Sequence, residues 1–254
     1  MESPNLEDLI PTTITLQNNE LHCEGISPIS LSTAIHNNNN TYLEWLHCTV
    51  EQSDSITSLL EDIRNGSSRC VSDGSYNPHT QIGTASWIIE SHNQLEYIRG
   101  TSIVPGHHSI QSAYRSELVG LLALLEQLHN FTIDYSIMDG ETTIACDGVN
   151  ALDKVKYKGI DKLSPNTKHS DIVSAIKQRR QTLAIDIITR HVKGHQDDLM
   201  DFDELDRYAQ LNVMMDIDAK SLSKELAQSD DPHIFQRSLH HILHHSIYPQ
   251  FTTT

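Results

Sequence analysis

The sequence predicts an α/β fold, a mixed five-stranded sheet whose first three strands are antiparallel, with helices flanking it. Three strand-like segments with short turns between them fill residues 70–103, which favours an antiparallel meander. The spacing of apolar residues then changes to that of a helix over residues 112–129. Beyond this helix, strands and helices alternate, and this alternation requires crossover helices that pack on the sheet.

The first three strands are predicted at Cys70–Tyr76, Gly83–Ile89 and Gln94–Ile103, because β-branched and aromatic residues are enriched in them. The pairs Asn77-Pro78 and His92-Asn93 are turn signals that separate the three segments. Consecutive strands with such short connections pair with their neighbours in the chain.

The long helix Ser112–His129 carries a broad stripe of leucines, which predicts that one of its sides is buried. The remaining predicted elements are, in order, a strand at Thr142–Cys146, a short helix at Val149–Lys156, a helix at Asp171–Arg180, a strand at Ala184–Ile188 and a helix at Glu204–Leu226.

We predict three regions in the 254 residues. Residues 1–69 form an N-terminal extension that is rich in Asn and Ser, partly flexible, with helical spacing over Ile56–Ile63. Residues 70–226 form the α/β domain, and residues 227–254 form a C-terminal tail.

The net charge of −16 argues against a free-standing protein that binds nucleic acid tightly. Nucleic-acid affinity depends on Lys and Arg side chains that release counterions from phosphates, and acidic chains supply few of them. A metal-dependent enzyme with a local basic patch remains compatible with this charge.

The four cysteines show no Cys-x-x-Cys spacing, so neither a disulfide framework nor a zinc site is indicated. The N-terminus lacks the basic and apolar regions of a secretory signal. No apolar run approaches the roughly 20 residues of a membrane span. We therefore expect an intracellular protein without a membrane partner, in either the nucleus or the cytoplasm.

Four acidic residues stand out by the elements that carry them. Asp73 interrupts the first strand, Glu117 lies in the leucine-rich helix, Asp147 follows the fourth strand and Asp216 lies in the last helix. In an α/β layer, acids at strand ends and on facing helices converge at one edge of the sheet. Four carboxylates at one point repel each other unless divalent cations such as Mg²⁺ lie between them.

Each acid taken alone also has a plain structural explanation. Asp73 is either a metal ligand, a salt-bridged core acid or a residue at a strand end, and Asp147 before Gly148 has the position of a helix cap. Asp218 lies two residues beyond Asp216 and faces roughly the opposite side of the helix. The metal-site interpretation rests on the four acids as an ordered set.

Five separated motifs resemble the ribonuclease H family. The motifs are Ser72-Asp73-Gly74-Ser75, Tyr114-Arg115-Ser116-Glu117-Leu118, Cys146-Asp147-Gly148, Val192-Lys193-Gly194-His195 and Asn212-Val213-Met214-Met215-Asp216. The strings at residues 111–118 and 191–198 are most similar to the RNase H domain of eukaryotic retroelement reverse transcriptases. The resemblance covers about residues 70–220. Residues 1–69 resemble at most the segment that links a polymerase to such a domain, so the chain is a candidate fragment or remnant.

The resemblance implies cleavage of the RNA strand of an RNA–DNA hybrid with two Mg²⁺ or Mn²⁺ ions. Asp73 would bridge both ions, Glu117 and Asp147 would hold one each, and Asp216 would complete the set. His195, on a mobile loop, would assist proton movement or product release. The implied partners are the hybrid and the polymerase domain of a reverse transcriptase.

The implied substrate contacts are the backbone at Gly74 and Ser75 and the side chains of Ser112 and Arg115, with the 2′-OH marking the RNA strand. Two alternatives stay open. The chain would be an inactive remnant that binds nucleic acid without cleaving it, or another member of the same superfold such as a transposase or exonuclease. The latter is disfavoured because exonuclease-type sites place their acids in different motifs.

Three further clusters each have a functional and a plain structural interpretation. Lys154–Lys162 is either a hybrid-binding patch or a solvated helix face. An acidic loop is interpreted as solvated rather than metal-binding; its residues are Asp197, Asp198, Asp201 and Asp203. The histidines of the tail are interpreted as incidental rather than metal-binding; they are His240, His241, His244 and His245.

Overall fold

The computed structural model describes the backbone of residues 14–17, 20–23 and 29–30, and all of residues 49–156, 158, 164 and 166–228. The chain divides into two compact units, residues 1–41 and 42–254. In the first unit, β1 (Ile14–Gln17), β2 (Glu20–Cys23) and β3 (Ile29–Ser30) pair antiparallel in that order.

The second unit is built on a six-stranded sheet. Its strands are β4 (Thr49–Gln52), β5 (Arg69–Asn77), β6 (Ile82–Glu90), β7 (Tyr97–Ile103), β8 (Glu141–Cys146) and β9 (Asp186–His191). The spatial order is β4-β7-β6-β5-β8-β9. β4 to β7 pair antiparallel, whereas β8 runs parallel to both β5 and β9.

Five helices accompany this sheet in the described ranges. They are α1 (Thr57–Asn65), α2 (Ala113–Asp134), α3 (Val149–Lys156), α4 (Ser170–Thr182) and α5 (Arg207–Gln228). Over the same ranges, no helix combines the length and the hydropathy that a membrane span needs.

Two hydrophobic cores lie on opposite faces of the sheet. On one face, Leu121 of α2, Val155 of α3 and Ile176 of α4 pack in one cluster, which also contains Leu59 of α1. On the other face, α5 packs through Met215 and its neighbours on a cluster of strand residues, namely Val71, Ile88 and Ala145. Because both faces are covered, the central strand β6 is buried along its whole length.

The predicted fold class is confirmed: the sheet is mixed, its first strands are antiparallel and helices flank it. The strand count differs, because the edge strand β4 adds a sixth strand that the sequence pattern did not indicate. Its residues are mostly exposed, so β4 lacks the apolar alternation of a half-buried strand. The last strand begins at Asp186 rather than Ala184 and extends to His191, again because an exposed edge strand tolerates polar residues.

β4 and α1 lie within the stretch that was assigned to the N-terminal extension, and α1 contributes Leu59 and Ile63 to the core of the sheet domain. The three predicted region boundaries stay predictions. Residues 229–254, with the four tail histidines, lie outside the described residues.

Candidate active site

The parallel pairing of β5 and β8 places two of the four acids next to each other. Val71 of β5 is in register with Ala145 of β8, and Asp73 and Asp147 each follow two residues later. Asp147 therefore lies just beyond the carboxyl end of β8, at the edge of the sheet where β8 and β9 end, beside Asp73 in the middle of β5. Asp73 is only 6% exposed, and Asp147 is partly buried.

Glu117 reaches this edge because α2 approaches β5 very closely at two glycines. A Cβ added at Gly74 would lie 2.3 Å from the backbone nitrogen of Glu117. A Cβ added at Gly120, one turn further along α2, would lie 3.3 Å from the carbonyl oxygen of Asp73. The hydroxyl of Ser116 also donates to the carbonyl oxygen of Ser75 at 2.9 Å, which fixes the helix on the strand.

Asp216 lies on α5, which packs on the other face of the sheet. Two strand hydroxyls hydrogen-bond the backbone of this helix. Ser86, the cross-strand partner of Asp73, donates from Oγ to the carbonyl oxygen of Met215 at 2.6 Å. Thr84 Oγ1 donates to the carbonyl oxygen of Ala219 at 2.7 Å. Asp216 directly follows Met215 and interacts electrostatically with Asp73 and Asp147.

Asp218 faces away from this group, as the sequence predicted for the residue two positions beyond Asp216. Its carboxylate pairs with Arg99 of β7 at 3.6 Å, and Arg99 in turn binds Glu51 of β4. The structure therefore assigns Asp216, and not Asp218, to the side of the helix that bears Asp73.

Burial and mutual repulsion raise the pKa values of three of these acids. Burial, followed by the charges of Asp147, Asp216 and Glu117, raises the pKa of Asp73 to about 8. Burial and Asp147 raise the pKa of Glu117 to about 7. Burial also raises the pKa of Asp147, although nearby His195 acts in the opposite direction. These shifts mean that the negative charges here are poorly compensated by the protein.

No lysine or arginine among the described residues pairs with the three acids whose pKa values are raised. Among the described residues, none of Asp73, Glu117 and Asp147 forms an ion pair with either residue type. A buried carboxylate without a cationic partner is costly, and a divalent cation bound by carboxylate oxygens removes that cost.

One atom of Cys146 joins the carboxylates at this edge. Ligand atoms of Glu117, Cys146 and Asp147 all lie within 4.8 Å of one another. The thiol is buried, its sulfur accepts a hydrogen bond from the backbone N–H of Gly148 at 3.3 Å, and burial raises its pKa. A protonated thiol is a poor ligand for Mg²⁺ or Mn²⁺, which prefer oxygen. The donor set that fits a hard divalent cation is therefore the carboxylates.

The end of β9 and the segment that follows it close over Asp147. His191 Nε2 donates to the backbone carbonyl of Asp147 at 3.1 Å, and a Cβ added at Gly194 would lie 2.6 Å from Asp147 Oδ2. His195 follows with a left-handed backbone (φ 53°) and an exposed side chain. This geometry brings the imidazole into the electrostatic surroundings of Asp147 while it remains accessible to solvent.

The predicted substrate-contacting residues have mixed surroundings. Gly74 and Ser75 are partly exposed beside Asp73. Ser112 is the N-cap of α2, where its hydroxyl accepts from the backbone N–H of Arg115 at 3.2 Å and also hydrogen-bonds His169 Nε2.

Arg115 does not fit the predicted substrate contact. Its side chain is fully buried, with Nε donating to the carbonyl oxygen of Pro105 at 3.0 Å and the two terminal nitrogens donating to Asp171 at 3.1 and 2.7 Å. The guanidinium joins α2 to α4 and to the loop after β7. The sequence could not indicate this, because Asp171 lies 56 residues further along the chain.

Lys220 is a residue near the site that the sequence interpretation missed. Its Nζ donates to Asp216 Oδ2 at 2.7 Å from one turn further along α5. The i, i+4 spacing of an acid and a lysine on a predicted helix was the available signal.

The structure describes only part of the basic run Lys154–Lys162. Lys154 and Lys156 lie in the last turn of α3, Lys158 pairs with Asp186 at 3.2 Å, and Lys162 lies outside the described residues. The four aspartates of the acidic loop are exposed.

No family model matches the sequence, and no curated protein matches it. Among solved structures, the LC11-RNase H1 complex with an RNA/DNA hybrid is 12% identical, covers 58% of this chain and 99% of that one, and has a TM-score of 0.41. RNase H1 from the archaeon Halobacterium salinarum is 12% identical over 53% of this chain and 91% of that one, with a TM-score of 0.35. The N-terminal RNase H domain of rv2228c from Mycobacterium tuberculosis is 13% identical, covers 61% of this chain and 98% of that one, and has a TM-score of 0.34.

Proposed function

We propose that this chain is a metal-dependent endonuclease that cleaves the RNA strand of RNA–DNA hybrids, and that it derives from a retroelement RNase H domain. The observation that carries the proposal is the meeting of Asp73, Glu117, Asp147 and Asp216 at one edge of the sheet from four separate elements. Three of these acids have raised pKa values and no cationic partner among the described residues, which supports a role as ligands of divalent cations.

All four acids would hold the metal ions in this proposal. Asp73 is the most buried of the four, and the charges of Asp147, Asp216 and Glu117 all raise its pKa. Two Mg²⁺ or Mn²⁺ ions, when bound, would activate the attacking water and stabilise the leaving oxygen. Asp73, Glu117 and Asp147 form no ion pair with Lys or Arg among the described residues, so their carboxylate oxygens remain available to a divalent cation.

His195 is proposed to move protons or to assist product release. Its exposed imidazole lies on the segment that closes over Asp147, so the ring can exchange protons with solvent while it stays close to the acids. An imidazole can both accept and donate a proton, which suits proton transfer beside the acids.

The RNA strand would be recognised at the partly exposed backbone of Gly74 and Ser75 and at the hydroxyl of Ser112, through contacts that include the 2′-OH. Arg115 is left out of this set because of its burial. The acidic chain provides little general attraction for phosphates, so we expect weak, salt-sensitive activity, with affinity supplied by a partner such as the polymerase domain of a reverse transcriptase.

The decisive experiment uses a labelled RNA strand in a hybrid, with matched RNA–RNA and DNA–DNA duplexes, and compares Mg²⁺, Mn²⁺ and chelator. We expect cleavage of the hybrid's RNA only when metal is present. Asp73→Asn and Asp216→Asn should abolish it, whereas the matched variant Asp218→Asn should retain it, because Asp218 faces Arg99. Hybrid binding without cleavage by folded wild-type protein would leave the inactive-remnant alternative.

A further inference from the structure

Lys220 already engages one of the four proposed metal ligands. Its Nζ lies 2.7 Å from Asp216 Oδ2, and it also interacts electrostatically with Asp73 and Asp197. The hydrogen bond to Asp216 is the largest contribution that raises the pKa of Lys220, so the side chain carries a positive charge at neutral pH.

Asp216 thus differs from the other three acids, because one of its oxygens is occupied by an ammonium group. A divalent cation and a lysine ammonium cannot both lie against the same oxygen without strong repulsion. The Lys220 side chain is 50% exposed and that of Asp216 is 27% exposed. A pair that is this exposed is weak, and the long lysine side chain can turn into solvent.

We propose that Lys220 acts as a built-in competitor of the divalent cation at Asp216, so that metal binding requires its ammonium group to leave Oδ2. The inference rests on the proposed function, since it takes Asp216 as a metal ligand. Lys220 is a positioning residue and not a catalytic one: it sets the metal concentration at which the site fills.

The test is a titration of the full chain with Mn²⁺, in which the free ion is measured by electron paramagnetic resonance at fixed pH and ionic strength. Removal of a weak exposed pair and of its charge should tighten binding by about three- to fivefold in Lys220→Met. The matched control is Lys224→Met, which removes the same charge from an exposed position one turn further along α5 and should change affinity less than about twofold.

A double-mutant cycle shows whether the effect passes through Asp216. In the Asp216→Asn background, Lys220→Met should no longer tighten Mn²⁺ binding. Unchanged or weaker binding by Lys220→Met, an equal gain in Lys224→Met, or a gain that persists without Asp216 would each overturn the inference while the proposed metal site stands. Absence of Mn²⁺ binding by folded wild-type protein and by every variant would instead contradict the proposed function, and the inference with it.

Discussion

Gly148 lies directly against the carboxylate of Glu117: a Cβ added at Gly148 would lie 1.6 Å from Glu117 Oε2. The glutamate of α2 and the residue that follows Asp147 therefore share a space that only glycine leaves open. The absence of a side chain at residue 148 allows Glu117 to stand next to Asp147.

We predict that Gly148→Ala weakens Mn²⁺ binding by at least about tenfold while the fold is retained. The new methyl group meets the flexible end of a side chain, so Glu117 turns away from Asp147 at little cost to packing. The measurements are Mn²⁺ titration and thermal unfolding, and the expected melting temperature stays within a few degrees of wild type. Unchanged Mn²⁺ affinity would show that Glu117 is not a ligand.

Gly74→Ala is the contrasting variant. Its Cβ would meet backbone atoms of Ser116 and Glu117 at 2.3–2.8 Å, and a helix backbone cannot turn aside as a side chain can. We expect a loss of about 3 kcal/mol in the free energy of unfolding, measured by urea denaturation in chelator. Equal stability of the Gly74→Ala and Gly148→Ala variants would contradict the close approach of α2 to β5.

The sequence indicated the convergence of the four acids better than it indicated the residues and strands around them. Asp73 lies within one β-type segment and Asp147 follows another, and the parallel pairing expected of alternating strands and helices is sufficient to bring them together. The partners of Arg115 and the course of β4 depend instead on residues distant in sequence, and β4 is too exposed to show a pattern. Propensity and periodicity are local signals, so they do not indicate a buried ion pair across 56 positions.

Asp73→Asn should stabilise the metal-free protein while it abolishes the proposed cleavage. The substitution keeps the shape of a side chain that is 6% exposed. It removes the charge of a carboxyl group whose pKa is raised to about 8. At pH 8 and above we expect a gain of about 1–3 kcal/mol, or roughly 3–10 °C in melting temperature, in chelator. The control is Asp218→Asn, because Asp218 pairs with Arg99 and should not gain stability. A lower melting temperature for Asp73→Asn would contradict this reading of the site.

The stability of the metal-free protein should decline with pH in a way that depends on Asp73. The folded-state pKa of Asp73, about 8, lies above its ordinary value of 3.8, so the folded protein binds more protons than the unfolded chain between these two pH values. Stability from this group is therefore fully present below about pH 4 and is lost as pH rises through 8, by up to ~1.4 kcal/mol per pH unit. Glu117 acts in the same direction, with a pKa raised to about 7 from 4.5.

Urea denaturation at pH 5, 6, 7 and 8 in chelator measures this decline, and Asp73→Asn should show a shallower slope than wild type. Mg²⁺ should stabilise wild-type protein more at pH 8 than at pH 5, because carboxylates must lose their protons to bind it. Parallel slopes for wild type and Asp73→Asn would mean that Asp73 is not the group that titrates.

Arg115 should prove to be a structural residue. Replacement of Arg115 by methionine leaves Asp171 without the guanidinium that holds its pKa below the usual range, and leaves the carbonyl oxygen of Pro105 without its donor. Removal of one partner from a buried ion pair costs about 3–5 kcal/mol, and the 22% exposure of the Asp171 side chain lowers our expectation to about 3 kcal/mol. Urea denaturation measures this loss. Arg190→Met is the matched control, since the pair of Arg190 with Asp206 is exposed and should contribute less than about 1 kcal/mol. If Arg115→Met were as stable as wild type but had a raised Michaelis constant for the hybrid, Arg115 would contact the substrate, as the sequence suggested.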